Sequence, residues 1–323
     1  MPSTSRIPLV DLAGSAEPGT ERDAVVETIR RACEEIGFLV VTGHDVPEAV
    51  VSNAEEAARG FFALPDEEKV RSVPVAGTWW GFTPARGTAL ALAHGVETPP
   101  DLCETYSVSR FDHVVAATDP GDGRGAFIAP NVWPDEPAGF RAAFEAYYAA
   151  MEDLAVRLMG LMALALGLDE GWFADKIDDH ITGLTALHYP VLDQPALPGQ
   201  SRRGEHTDWG SITILHHDGQ PGLQVMAPDG AWEDAATVAG AFVVNLGDLM
   251  AAWTNDHWAS TRHRVLVPDD PTGDRVSIAF FHQPDFDARI ECIPTCTSAD
   301  DPPRHQPTTS GEWIVSMLDK TTC

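Results

Sequence analysis

"GEHTDWGSITILHHDGQPGLQV", residues 204–225, carries two histidine–x–aspartate pairs, His206-Thr207-Asp208 and His216-His217-Asp218. With 12 histidines and 49 acidic residues in a chain of 323, a match to so short a pattern is expected by chance. The surroundings have to separate the two pairs. In a strand, side chains at i and i+2 share a face. His206 and Asp208 would then point together into the interior of a β-structure, with Thr207 facing away. The second pair runs into Gly219-Gln220-Pro221, where a turn breaks the two-residue period. His216 and His217 therefore read as polar residues at a strand end.

The chain around this stretch has the texture of a β-domain. From Leu184 onward come "LTALHY", "SITILHH", "GLQVM", "AFVVNL", "HRVLV", "RVSIAFF" and "ARIECI", separated by turn residues such as "PDG" at 228–230. Short strands at this spacing suggest a sandwich, barrel or jelly roll. Upstream, helix and strand alternate. "IPLVDL" reads as a strand. "TERDAVVETIRRACEEIG" reads as a helix with Thr20 and Asp23 at capping-box spacing and Gly37 as its stop. "FLVVTG" is an apolar strand and "PEAVVSNAEEAARGFFAL" a second helix. Residues 73–134 read as loop. The longest helix is "PAGFRAAFEAYYAAMEDLAVRLMGLMALALG", and "SGEWIVSMLDKT" closes the chain. The expectation is one folded unit, with a helical front half wrapped on a β-barrel.

Composition excludes several classes. Apolar content of 44% and aromatic content of 8% suffice for a core. A net charge of -28 argues against nucleic acid or an anionic membrane as partner, since both need basic patches. The five cysteines, Cys33, Cys103, Cys292, Cys296 and Cys323, form no Cys-x-x-Cys pair and read as reduced thiols of a cytosolic protein. The apolar run in "MPSTSRIPLVDLAG" is too short for a signal peptide, and no transmembrane-length run follows. A soluble, cytoplasmic protein is expected. Its oligomeric state is not written in the sequence.

Two imidazoles and a carboxylate with open positions opposite them form the site of non-haem Fe(II) oxygenases. A third ligand must come from a distant strand, with His257, His263, His282 and His305 as candidates. His263 opens the apolar strand "HRVLV", whereas His257 and His305 lie in polar or proline-rich loops and His282 ends a strand. His263 fits best. Arg275-Val276-Ser277 opens the strand "RVSIAFF" and puts Arg275 and Ser277 on one face. An arginine buried there needs an anion, and its planar fork suits a carboxylate. The alternative is a surface arginine paired with one of the many acids.

At this point "HTDWGSITIL", "NLGDLMAAWTNDHWASTRHRV" and "RVSIAFF" resemble the 2-oxoglutarate-dependent Fe(II) dioxygenases of the isopenicillin N synthase-like type. So do "IPLVDL", "RRACEEIGFLVVTGHDVP" and "FFALPDEEK" in the front half. The resemblance spans nearly the whole chain in the expected order. It implies an α+β to mainly β fold, with a double-stranded β-helix (jelly-roll) core flanked by helices and a mixed helix/strand N-terminal region. The implied division is 1–135 for the N-terminal region, 136–180 for a helical connection, 181–300 for the core and 301–323 for a C-terminal helix. It further implies His206, Asp208 and His263 as catalytic iron ligands, and Arg275, Ser277 and Tyr189 as contacts of 2-oxoglutarate. Many relatives carry arginine or asparagine shortly before that tyrosine, where this chain reads "GLTALHYP", and glutamine where it has His216 and His217. Both departures bear on the substrate side.

The implied reaction couples oxidative decarboxylation of 2-oxoglutarate, to succinate and carbon dioxide, to hydroxylation or a related C–H oxidation of a small organic substrate. Fe(II), 2-oxoglutarate and O2 are required, with ascorbate as an optional reductant. Specialised metabolism is the expected setting. Trp79, Trp80, Phe82, Trp209 and Phe281 could wall the substrate pocket, though aromatics are also ordinary core, and Arg86 reads as a surface residue. Two alternatives stay open. One is an Fe(II)/O2 oxidase of the same family that works without 2-oxoglutarate. The other is a non-catalytic binding module on the same fold.

Overall fold

A computed structural model describes residues 6–85, 90–91, 95, 98–110, 123–267 and 273–321. Arg86 and Cys323 lie outside the described residues. The N-terminal part contributes β1 (Leu9–Asp11), α1 (Thr20–Glu35), β2 (Phe38–Thr42), α2 (Glu48–Phe62), α3 (Asp66–Lys69), β3 (Gly81–Thr83) and β4 (Glu104–Ser109). Next come α4 (Arg124–Phe127) and the long α5 (Phe140–Ala165). Strands then dominate: β5 (Gly183–Tyr189), β6 (Arg203–His206), β7 (Ile212–His217), β8 (Leu223–Met226), β9 (Trp232–Asp234) and β10 (Phe242–Leu246). The chain ends with α6 (Asp248–Trp253), β11 (His263–Val265), β12 (Arg275–His282), β13 (Arg289–Ile290), β14 (Thr308–Thr309) and α7 (Ser310–Thr321).

One large sheet runs β1-β2-β10-β7-β12-β5-β4-β3, and a smaller one runs β6-β11-β8-β9. The two face each other as a jelly roll rather than closing into a single barrel. Period-two alternation explains why the central strands read as unbroken apolar runs, because the large sheet is buried on both faces. Val276, Ile278 and Phe280 of β12, with Ile212 and Ile214 of β7, pack with Phe144, Tyr148 and Met151 of α5. The opposite face carries Phe38, Leu187, Val243 and Ala279, which pack with Leu223, Val225 and Val265 of the small sheet. Ile278 is fully buried at the centre of the helix-facing layer. Ile278→Ala is expected to cost about 2–5 kcal/mol, read as a lowered denaturant midpoint with an unchanged slope.

Three expectations need correction. The stretch 73–134 is not simply loop, because β3 and β4 extend the edge of the large sheet. β4 pairs with β5 over six consecutive register positions, a long-range partnership that no local apolar run announces. The capping box at Thr20 is absent: α1 begins after an extended Gly19 with no side-chain cap, and Glu21 and Asp23 supply only charge in the first turn. The single barrel gives way to two sheets. Gly37 does stop α1, with its N–H bonded to the Ala32 carbonyl at 2.8 Å and a positive φ of 64°. No helix among the described residues is long and apolar enough to cross a membrane.

Candidate active site

His206 ends β6 and His263 begins β11, directly opposite each other in the register of the small sheet. Their rings stand 4.2 Å apart. Asp208 joins them from just beyond the end of β6, so the strand that carries His206 does not itself reach Asp208. Asp208 Oδ1 lies 3.8 Å from His206 Nε2 and 3.7 Å from His263 Nε2. The three groups are buried, and their ligand atoms fall within 4.8 Å of one another. His206 Nδ1 bonds the Gly204 carbonyl at 2.7 Å and His263 Nδ1 bonds the Thr261 carbonyl at 3.2 Å. A carbonyl accepts only, so Nδ1 carries the proton in each ring and Nε2 presents its lone pair to the centre.

The electrostatics suit a cation. Burial, and then repulsion from His263, push His206 well below the ordinary imidazole value, so it stays neutral. Burial pushes the Asp208 carboxyl up, but the two imidazoles and two donors outweigh it and hold the group below its usual range. Those donors are Thr213 Oγ1 at 2.6 Å and Asn245 Nδ2 at 2.8 Å, both on Asp208 Oδ2. With Oδ2 so occupied, Oδ1 is the oxygen turned to the imidazoles. Asn245→Ala is expected to weaken divalent-metal binding at this triad about 10–100-fold, measured by anaerobic titration against a competing chelator.

The Asp208 loop is held by the start of α6. The N–H groups of Asp248 and Leu249 donate to the carbonyls of Asp208 (2.8 Å) and Trp209 (3.2 Å). Thr207 Oγ1 donates to Asp248 Oδ2 at 3.0 Å. Gly247 lets the two backbones approach, since a Cβ there would sit 2.3 Å from the Gly210 carbonyl oxygen.

A narrow cleft between the sheets runs from the triad to Arg275 and is lined by Tyr189, Leu187, Leu223, Val265 and Ser277. Arg275 is 1% exposed. Its guanidinium bonds Ser277 Oγ (3.3 Å) and the Gln220 carbonyl (3.4 Å), and it sits 4.9 Å over the Tyr189 ring. Among the described residues no carboxylate lies within ion-pair distance of it, so the surface-arginine alternative does not hold. Burial, followed by the charge of Arg275, holds His217 down to about 4, so it is neutral here. Burial pushes the Tyr189 phenol up to about 12, leaving it a protonated donor.

The remaining histidines have other partners. His216 Nε2 meets Glu55 on the helix side (2.9 Å), His257 meets Asp301 (2.8 Å) and His305 meets Asp256 (2.8 Å). His282 bonds the Ser211 hydroxyl at 2.8 Å. A larger cavity of about 290 Å³ adjoins the triad and is lined by Trp79, Trp80, Trp209 and Phe281 together with Ile314 and Leu318 of α7. Phe82 is the correction. Its ring packs in the core 5.5 Å from Phe61, away from this cavity, because its strand turns it toward α2.

Arg202 and Arg203, immediately before Gly204, were not among the expected site residues. Arg202 is 3% exposed beside Tyr189, and Arg203 lines both the cleft and the larger cavity. Two adjacent arginines in front of the histidine pair were the available signal. Asn245 and Thr213 had none, because a polar residue inside an apolar strand shows no partner until the strands are paired.

Residues 7–136 match the family described as non-haem dioxygenase in morphine synthesis N-terminal, and residues 181–284 match the 2OG-Fe(II) oxygenase superfamily. The chain is 34% identical over 304 residues to the 2-oxoglutarate-Fe(II) type oxidoreductase hxnY of Emericella nidulans, covering 92% of this chain and 84% of that protein. It is 33% identical over 303 residues to the validamycin A dioxygenase of Streptomyces hygroscopicus subsp. limoneus, covering 90% and 80%. A full-length Neurospora crassa protein, solved in complex with alpha-KG, superposes with a TM-score of 0.85 at 30% identity, covering 97% of this chain and 95% of that one.

Proposed function

The chain belongs to the 2OG-Fe(II) oxygenase superfamily, and from that premise we propose that His206, Asp208 and His263 hold its Fe(II) and that Arg275, Ser277 and Tyr189 hold the far carboxylate of its 2-oxoglutarate. The protein is a 2-oxoglutarate-dependent Fe(II) dioxygenase acting on a small molecule. When bound, Fe(II) supplies the centre where oxygen is activated as 2-oxoglutarate is decarboxylated to succinate and carbon dioxide, with hydroxylation or a related C–H oxidation of the second substrate.

The observation that carries the residue assignment is the buried convergence of two imidazole nitrogens and one carboxylate oxygen. Two nitrogens and one anionic oxygen suit Fe(II). Thr213 and Asn245 keep Asp208 oriented, and the carbonyls of Gly204 and Thr261 keep both imidazoles in the ligating tautomer. The fork of Arg275 fixes the co-substrate along the cleft, while the aromatic wall of the adjoining cavity excludes water from the second substrate.

Unpaired thiols at Cys33, Cys103, Cys292 and Cys296 support a reducing, cytoplasmic setting. The negative charge supports small molecules, rather than nucleic acid or anionic membrane, as partners. The segments 1–135, 136–180, 181–300 and 301–323 are proposed as modules that share one sheet system. The test is anaerobic addition of 2-oxoglutarate to the Fe(II)-loaded protein, followed by the visible charge-transfer band of a chelated keto acid. A saturable band is expected. Iron retained with no band at any 2-oxoglutarate concentration would overturn the co-substrate site.

A further inference from the structure

Arg203 stands where the two cavities meet. It opens β6, three residues before His206, and its half-buried side chain lines both the Arg275 cleft and the larger cavity. Among the described residues lining the larger cavity it is the one permanent cation. The acids nearest to it are committed elsewhere. Asp101 accepts from the backbone N–H of Gly204 (2.9 Å) and of Leu90 (3.2 Å). Asp208 accepts from Thr213 and Asn245 through one oxygen and faces the imidazoles with the other. Among the described residues no carboxylate comes within ion-pair distance of Arg203. The nearby Cys103 thiol is kept protonated by burial and supplies no anion.

A guanidinium so placed needs an anion to offset its desolvation. The two ends of 2-oxoglutarate are already provided for in the reading above, by Arg275 at the far carboxylate and by the triad at the keto-acid end. The anion for Arg203 therefore comes from the other occupant. A second polar group points to the same occupant. Gln283 is 9% exposed and lines the larger cavity, and among the described residues none donates a hydrogen bond to its buried Oε1. Trp79, Trp80, Trp209 and Phe281 supply an aromatic wall, and Ser107 and Thr185 also line the cavity.

We propose that the second substrate is a small carboxylic acid whose carboxylate is gripped by Arg203, whose apolar body lies against this aromatic wall and whose N–H or O–H donor reaches Gln283. The planar fork takes a carboxylate in two parallel hydrogen bonds, which a carboxamide of the same skeleton cannot match. This inference rests on the co-substrate reading above, and its test separates the two.

The experiment uses the Fe(II)- and 2-oxoglutarate-loaded protein under anaerobic conditions, titrated calorimetrically with a panel of small carboxylic acids and their matched primary carboxamides. Acids are expected to bind at least about tenfold more tightly than their amide partners. In Arg203→Gln that preference collapses to within about twofold, and Arg203→Lys restores part of it as a point charge. Over the same variants the 2-oxoglutarate titration of the charge-transfer band moves less than about threefold, since a threefold change is well under 1 kcal/mol. Three outcomes overturn the proposal: no acid of the panel binds, the preference for acids survives in Arg203→Gln, or the 2-oxoglutarate requirement climbs with it. In the last case Arg203 serves the co-substrate. A wild-type protein with no band at all is a failure of the co-substrate reading, whereas a normal band without acid preference is a failure of this inference alone.

Discussion

Asp208→Ala is expected to abolish succinate formation and to weaken Fe(II) binding more than about 100-fold, beyond the 10–100-fold that loss of an outer partner costs. The substitution removes the anionic oxygen set between His206 Nε2 and His263 Nε2. It also strips Thr213 and Asn245 of their shared acceptor, leaving two buried donors unpaired. Anaerobic iron titration with far-UV circular dichroism as a control separates loss of ligation from loss of fold. His206→Ala and His263→Ala follow the same course. Full turnover in any of the three would remove that residue from the triad.

Arg275→Ala is expected to raise the 2-oxoglutarate needed for half-saturation of the charge-transfer band about 100-fold or more, in line with the 2–5 kcal/mol lost when one partner of a buried charge pair is truncated. Fe(II) binding without co-substrate stays within about threefold, because Arg275 contacts Ser277, Gln220 and Tyr189 and none of His206, Asp208 and His263. Thermal stability makes a second check. Among the described residues Arg275 has no ion pair to lose, so the unliganded protein should not melt earlier. The rise in melting temperature that 2-oxoglutarate gives wild type should be missing at the same concentration. An unchanged half-saturation would mean that the co-substrate carboxylate lies elsewhere.

Much of this was legible in the chain because two periodicities suffice for it. His263 was separable from His257, His282 and His305 by its position at the start of an apolar strand, and the structure gives each of the other three a different partner. The strand from Arg275 to Phe281 shows the same logic, with Arg275 and Ser277 on the cleft face and Val276, Ile278 and Phe280 against the helices. Phe82 marks the limit. Its sequence neighbours Trp79 and Trp80 line the cavity, and nothing local distinguishes an aromatic ring bound for a cavity wall from one bound for the core.

Residue types, their spacing and the face each strand residue takes were set by the order of the chain, because these follow from covalent connectivity and from the two-residue period of extended chain. Which groups stand across from one another came from the pairing of distant strands. Asp208 reaches His206 and His263 from beyond the strand because the carbonyls of its loop accept from the first N–H groups of α6, and Gly247 lets the backbones touch. Asn245 and Thr213 become partners of Asp208 because β10 pairs with β7, bringing together residues 32 positions apart in the chain. Arg203 becomes a candidate specificity residue because β6 and β11 carry it to the junction of two cavities. Hydrogen-bond partners and the desolvation of charge depend on such distant neighbours, and no local period encodes them.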